Sequence, residues 1–157
     1  YNEPLIGYEY VRDCGALARE KGLKMVLVTN GTICRGPLTE LLPCIDAMNI
    51  DLKGFTERFY HMVGGDLETV KRTIELAVKS CHVEVTVLTI PGENDGPEEM
   101  EALSGWLAGV DPEIPLHITR CFPRYKMSGK SPTPIETLMR LRDVASRHMR
   151  YVYLGNC

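Results

Sequence analysis

The sequence lacks the runs that mark membrane proteins and nucleic-acid-binding proteins. No apolar stretch approaches the roughly 18 residues that a helix needs to span a bilayer. No basic run occurs, and the 18 lysines and arginines are outnumbered by 21 aspartates and glutamates, which gives a net charge of −3. These absences argue against a membrane and against nucleic acid as the main partner.

Several motifs of known chemistry are absent as well. Neither glycine-rich phosphate motif, G-x-G-x-x-G or G-x-x-x-x-G-K, occurs in the sequence, and there is no G-x-S-x-G nucleophile elbow. The four histidines do not stand at the spacing of a metal site. Because no nucleophile and general base are evident, we expect any reactive centre to be supplied from elsewhere.

The cysteines show no zinc-like or redox spacing, because no C-x-x-C occurs among them. Most lie in apolar segments, so we expect buried thiols in a reducing cytoplasm rather than disulfides. The cysteines are Cys14, Cys34, Cys44, Cys81, Cys121 and Cys157.

The length of 157 residues suits one domain, over residues 1–157. The chain starts at Tyr1 rather than at a methionine, and it ends at Cys157, directly after the strand-like stretch YVYLGN. We therefore expect it to be part of a longer protein.

Apolar segments that predict strands alternate with amphipathic segments that predict helices. The predicted strands are residues 24–29, 44–51, 83–90, 115–121 and 151–154. The clearest helices are residues 5–21, residues 67–81, a segment from Pro97 onward, and one after a capping box of Thr133, Pro134 and Glu136. This alternation predicts an α/β fold with a parallel sheet, either doubly wound or part of a (βα) barrel.

Polar residues follow the predicted strands, at the edge where both architectures bind ligands. The stretch NIDLKG at 49–54 ends a strand with Asp51 and Lys53, two residues apart and therefore on one face. TNG at 29–31, IPGEND at 90–95 and YNEP at 1–4 stand at comparable junctions. Together they predict a binding rim for a zwitterionic or hydroxyl-rich ligand.

Each motif alone also has an ordinary structural interpretation. TNG and PGEND are common turns, and an exposed Asp51–Lys53 ion pair contributes only about 0–1 kcal/mol. His117 lies in a strand whose alternate residues can face a barrel interior, where polar side chains are often simply hydrogen-bonded. The loop 121–133 is the longest irregular segment, which makes it a candidate lid or substrate loop.

The ordered set NEP (2–4), VTNG (28–31), DLKG (51–54) and IPGEND (90–95) resembles the radical S-adenosylmethionine (SAM) enzymes. The nearest group is the activating-enzyme branch, which includes pyruvate formate-lyase-activating enzyme. HITRCFPRYKM (117–127) and YVYLGN (151–156) are most similar to the radical SAM protein of the AmmeMemoRadiSam system. The resemblance implies an α/β fold, a partial (βα)6 barrel truncated at its N-terminus.

The resemblance also implies roles for individual residues. Glu3 would bind the methionine ammonium of SAM. Thr29 and Asn30 would lie beside the methionyl and ribose portions of SAM. Asp51 and Lys53 would bind ribose hydroxyls and the methionine carboxylate. Backbone and apolar surface for the adenine would come from Ile90, Pro91 and Gly92. The residues expected to face the substrate are His117, Arg120, Tyr125 and Lys126.

The family uses a [4Fe–4S] cluster, with SAM cleaved to a 5′-deoxyadenosyl radical that abstracts hydrogen. The cluster motif C-x3-C-x2-C is absent here, so we expect the cluster ligands to lie outside this chain and the chain alone to be inactive. The resemblance leaves the substrate open, as a glycyl-radical protein or a small molecule. It implies flavodoxin or ferredoxin as electron donor. Two departures from the family pattern are Tyr1-Asn2 in place of Gly-Gly and Val28 in place of an aspartate.

Two other functions remain open from the residues alone. In a metal-free (βα)-barrel lyase or isomerase, Lys53 would form a Schiff base at a strand end. In a non-catalytic interaction module, the rim would bind neither SAM nor 5′-deoxyadenosine.

Overall fold

The computed structural model describes residues 2–157, apart from the side chain of Lys126. Five parallel strands form one sheet and pair in chain order. They are β1 (Val26–Thr29), β2 (Ala47–Asp51), β3 (His82–Thr89), β4 (Leu116–Arg120) and β5 (Val152–Gly155). All five predicted strands are confirmed, although β1 and β2 begin later than the apolar pattern predicts.

One helix precedes β1, and the others lie in the connections between the strands. They are α1 (Tyr8–Glu20), α2 (Arg35–Leu41), α3 (Glu57–Met62), α4 (Leu67–Ala77), α5 (Pro97–Val110) and α6 (Ile135–Ala145). Short 3₁₀ turns span Pro4–Gly7, Leu42–Cys44 and Tyr125–Met127. The short α3 was not predicted, because its 6 residues are too few to show a helical period. Within residues 2–157, no helix has the length and apolar character needed to cross a bilayer.

The strand order decides between the two architectures that the sequence leaves open. A doubly wound sheet reverses its strand order at a switch point, whereas the order here runs from β1 to β5 without reversal. The sheet is therefore an open arc of the barrel type, with β1 and β5 as its edges in the described chain.

The two faces of the sheet have different surroundings. Leu27, Ile50, Val85 and Ile118 point to one face and are buried in the hydrophobic core against the helices. Residues of the opposite, inner face alternate with them and are half-buried or exposed. The inner face therefore holds polar side chains beside the carboxyl ends of the strands.

The capping box predicted for α6 is wrong. Pro134 occupies the N-cap position and its side chain makes no capping hydrogen bond. The buried Thr133 hydroxyl donates to the Thr89 carbonyl (2.6 Å) and accepts from the Cys121 amide (3.1 Å). Thr133 thus joins the end of the 121–133 loop to the ends of β3 and β4, where unpaired backbone groups need partners.

The cysteines are free, but they are not uniformly buried as expected. Cys121 is buried, Cys34 and Cys157 are exposed, and the other three are half-buried.

Replacing Thr133 tests its role as a link between strands. We expect Thr133→Val to lower the free energy of unfolding by about 1–3 kcal/mol, because it leaves buried backbone groups unsatisfied. Thr133→Ser keeps the hydroxyl and is expected to cost less. Denaturant unfolding measures both, with Thr39→Val as the matched exposed control. Equal stability of Thr133→Val and the wild type would contradict the role.

Candidate functional site

A carboxylate from the segment before α1 lies against the end of β1. Glu3 Oε1 accepts hydrogen bonds from the Thr29 hydroxyl (2.5 Å) and the Leu5 amide (3.1 Å). Its Oε2 accepts from the Asn30 amide (2.7 Å). These hydrogen bonds fix Glu3 in place. Because a carboxylate offers about four acceptor positions, Glu3 can still accept a hydrogen bond from a ligand.

An ion pair stands at the end of the neighbouring strand. Lys53 Nζ lies 2.5 Å from Asp51 Oδ2, and both side chains are about a third exposed (39% and 31%). An ion pair this exposed contributes about 0–1 kcal/mol to stability. The pair therefore adds little to the stability of the fold, and both charged groups are accessible at the rim.

These groups share one open cavity of about 270 Å³. Glu3 and Asp51 bring negative charge to it, and Lys53 brings positive charge. The lining residues are Asn2, Glu3, Val28, Thr29, Asn30, Asp51 and Lys53. Opposite charges and hydrogen-bonding groups in one cavity are suited to a zwitterionic ligand with hydroxyl groups, as the sequence predicts.

Two other cavities help to define the site. A smaller one of about 180 Å³ shares Asn30 and Lys53 with the first and extends to Tyr60. A larger one, about 690 Å³, lies beside Lys24 and Asp46, before the start of β1 and β2. Barrels of parallel strands carry their active sites at the carboxyl ends of the strands, so we place the site at the first two cavities.

The segment after β3 lies outside the lining of both cavities at the rim. The Ile90 amide donates to Asn94 Oδ1 (2.6 Å), and the Gly92 amide donates to Asp95 Oδ1 (2.9 Å). Ile90 and Pro91 are half-buried and Gly92 is exposed with a φ of 76°. These residues form an ordered turn beside the rim.

His117 lies on the inner face, two strands from Asp51. Thr86 pairs with both Asp51 and His117, which places the two about 10 Å apart across the sheet. His117 Nε2 is 2.6 Å from Glu84, and the ring stacks on Tyr153 with centroids 5.5 Å apart. Partial burial raises the pKa of Glu84, but hydrogen bonds from His82 and His117 outweigh it and the net pKa is lowered.

The remaining residues predicted to face the substrate belong to the segment after β4 or border it. Arg120 Nε donates to the Thr133 carbonyl (2.8 Å), and its guanidinium lies 4.8 Å from the centre of the Phe122 ring. Tyr125 is 83% exposed in the 3₁₀ turn. The Lys126 side chain lies outside the described residues.

Sequence reasoning missed Tyr60 and Asn94, two buried polar residues of the site. Both bond to the backbone of Lys53, through its amide and its carbonyl respectively. Asn94 belongs to the IPGEND turn, which offered a signal at that position. Tyr60 lies in the unpredicted α3, and no sequence pattern pointed to it. Throughout residues 2–157, no three His, Cys, Asp or Glu side chains are arranged to hold a metal ion.

Comparison with known families gives a match over most of the chain. The model of the radical SAM superfamily matches residues 1–104. A protein of Methanocaldococcus jannaschii, described as uncharacterised, is 40% identical over 159 residues, which cover 99% of this chain and 47% of that protein.

Activating enzymes of pyruvate formate-lyase are similar too. The Escherichia coli K12 pyruvate formate-lyase 1-activating enzyme is 24% identical over 163 residues, which cover 93% of this chain and 65% of the enzyme. A crystal structure of a domain of pyruvate formate-lyase-activating enzyme from Bacteroides vulgatus ATCC 8482 has a TM-score of 0.83 at 15% identity. The match covers 99% of this chain and 96% of that domain, which establishes the fold. The chain spans about half to two thirds of the length of these curated relatives.

The buried Tyr60 hydroxyl makes the stability of the protein depend on pH in the alkaline range. Burial, the main cause, raises the pKa of Tyr60 from 10.0 to about 12. The pKa of Tyr60 is higher in the folded protein than in the unfolded chain. The contribution of Tyr60 to the unfolding free energy is therefore fully present below pH 10 and is lost as pH rises to about 12. We expect a loss of up to about 2–3 kcal/mol in unfolding free energy over that window. Tyr60→Phe should lose less, and equal losses in the two proteins would contradict the assignment.

Proposed function

Because the chain belongs to the radical SAM superfamily, we propose that the 270 Å³ cavity at the ends of β1 and β2 binds S-adenosylmethionine. The observation that carries the proposal is the anchored carboxylate of Glu3 facing the same cavity as Asp51 and Lys53. SAM carries an ammonium, a carboxylate and two ribose hydroxyls, and this cavity offers a partner for each.

The charges match the two ends of the amino-acid portion of SAM. The Glu3 carboxylate accepts hydrogen bonds from the methionine ammonium. The Thr29 hydroxyl and the Asn30 amide hold that carboxylate in place. Among the described residues that line the cavity, Lys53 is the one cationic side chain, so it donates to the methionine carboxylate. Charge-assisted hydrogen bonds of this kind are about twice as strong as neutral ones.

Asp51 and the apolar surface complete the proposed contacts. Asp51 accepts hydrogen bonds from the ribose hydroxyls. To do so, its carboxylate must contact Lys53 and the ligand at the same time. Val28 is 64% exposed on the inner face and lines the cavity, so it offers apolar contact to the methionyl chain. The turn of Ile90, Pro91 and Gly92 takes the adenine, as the family resemblance implies.

The superfamily pairs SAM with an iron–sulfur cluster, which supplies the electron that cleaves the sulfonium. The described residues of this chain do not form a ligand set for such a cluster. We therefore propose that this chain binds and orients SAM and that the cluster ligands belong to residues outside it.

The whole protein is proposed to be an enzyme of the activating type, generating 5′-deoxyadenosine as it abstracts a hydrogen atom. Similarity to pyruvate formate-lyase 1-activating enzyme favours a glycyl-radical protein as substrate. The family resemblance implies flavodoxin or ferredoxin as electron donor. The inner face near His117 is the surface proposed to meet the substrate. Arg120, Tyr125 and Lys126 belong to the neighbouring segment, where the 121–133 loop would border it.

A lyase that uses Lys53 is less well supported. A Schiff-base lysine needs a side-chain nitrogen that is free to attack a carbonyl, whereas Lys53 Nζ is in contact with Asp51 Oδ2 at 2.5 Å. An interaction module remains the other alternative, and it predicts no binding of SAM.

Calorimetric titration of the 157-residue chain with SAM tests the proposal. We expect saturable binding, weakened about tenfold or more by Glu3→Gln and by Lys53→Met, because each removes one charge-assisted contact. Glu9→Gln and Lys24→Met are the matched controls, since they change the same residue types away from the cavity. No binding by the wild type would overturn the proposal.

The reaction itself is tested with the complete gene product that contains this chain. We expect the protein, reconstituted without oxygen with iron and sulfide, to form 5′-deoxyadenosine from SAM and dithionite. Asp51→Ala should reduce the yield by at least about tenfold, judged by the loss of one charged contact. A preparation with an intact cluster that forms no 5′-deoxyadenosine would exclude the radical function.

A further inference from the structure

Lys53 leaves the sheet before its own backbone can pair with a neighbouring strand. The last bond to the sheet in this segment is from the Leu52 amide to the Thr86 carbonyl (2.9 Å). The backbone groups of Lys53 bond instead to two side chains. The Tyr60 hydroxyl accepts from the Lys53 amide (3.2 Å), and Asn94 Nδ2 donates to the Lys53 carbonyl (2.7 Å).

Both side chains are themselves fixed. Tyr60 is 2% exposed and Asn94 is 3% exposed. Asn94 makes two further bonds to the end of β3, donating to the Leu88 carbonyl (2.9 Å) and accepting from the Ile90 amide (2.6 Å). Asn94 therefore ties the end of β2 to the end of β3, and Tyr60 ties the same point to α3.

The residues after Lys53 are equally constrained. A Cβ on Gly54 would lie 2.7 Å from Phe59 Cδ1, so a side chain does not fit there without movement. The Phe55 amide donates to Glu99 Oε1 (2.6 Å), which holds the next turn against α5. The backbone at Lys53 is thus held from both directions along the chain.

We propose that Tyr60 and Asn94 are positioning residues that clamp the Lys53 backbone so that its ammonium meets the carboxylate of the bound ligand. The inference rests on the proposed function, since it takes the carboxylate of SAM as the group that Lys53 binds. A long lysine side chain loses much rotational freedom when it is ordered by a ligand. Fixing its backbone beforehand leaves less motion to be lost on binding.

Tyr60→Phe removes only the hydroxyl and tests the clamp. The probes are SAM and 5′-methylthioadenosine, which has the nucleoside but no carboxylate or ammonium. We expect Tyr60→Phe to weaken SAM binding about fivefold, the effect of one hydrogen bond, and to leave 5′-methylthioadenosine binding unchanged. Tyr8→Phe is the matched control, because the Tyr8 hydroxyl bonds to Glu40 away from the cavity.

The Lys53→Met background separates positioning from a general structural effect. If Tyr60 acts through Lys53, adding Tyr60→Phe to Lys53→Met should cause no further loss of SAM affinity. Asn94→Asp keeps the acceptor for Ile90 and removes the donor to both Lys53 and Leu88. We expect it to weaken SAM binding in the wild type and to cause no further loss of SAM affinity in the Lys53→Met background. Should Asn94→Asp fail to fold, Tyr60→Phe decides alone.

The outcomes distinguish this inference from the proposed function. An equal loss for both probes, or a further loss in the Lys53→Met background, would show that Tyr60 only supports the fold. A wild type that binds SAM through Lys53 but does not respond to Tyr60→Phe would overturn the clamp alone. If the wild type does not bind SAM, or if Lys53→Met leaves SAM affinity unchanged, both the clamp and the proposed function are overturned.

Discussion

The five strands pair in parallel and in chain order, from β1 to β5. The hydrogen bonds of this pairing place the carboxyl ends of all the strands on one edge of the sheet. This pairing brings together segments that are far apart in the chain, so that Glu3, Asp51 and Asn94 reach a common region. It also leaves one face of the sheet to the helices and the core. Polar side chains can therefore occupy the opposite face without being buried among apolar ones.

The polar residues of the rim fall into two groups with different surroundings. Tyr60, Asn94 and Thr133 are buried and hydrogen-bonded to a strand end or to a residue beside one, and the buried Thr29, which ends β1, bonds to Glu3. Buried polar groups are costly unless they are paired, so these bonds hold the turns in one arrangement. The charged residues of the cavity are only partly buried, and they retain hydrogen-bonding capacity for a ligand.

The same arrangement explains why a weak ion pair can be functionally important. The contact between Asp51 and Lys53 adds little to stability in an exposed position. Its members nevertheless stand on a backbone that is fixed by Tyr60 and Asn94 and by the sheet itself. Precise placement of flexible charged side chains is thus achieved through buried neutral groups beneath them.

Membership of the radical SAM superfamily agrees with a chain in which no nucleophile and general base are evident. In the proposed function, this chain contributes binding and orientation, while a cofactor carries the difficult chemistry. The polar inner face, with Glu84 between His82 and His117, lies beside the proposed cofactor cavity.

The sequence by itself determined the order of strands and helices, because apolar periodicity reports local burial directly. It also located Glu3, Asp51 and Lys53 near one edge, since polar residues after parallel strands converge there. Only the tertiary structure decided that the sheet is an open arc, that Thr133 bonds to strand ends rather than capping α6, and that Tyr60 and Asn94 hold Lys53. Those outcomes depend on contacts between residues distant in the chain, and local patterns carry no information about which distant backbone group a side chain will meet.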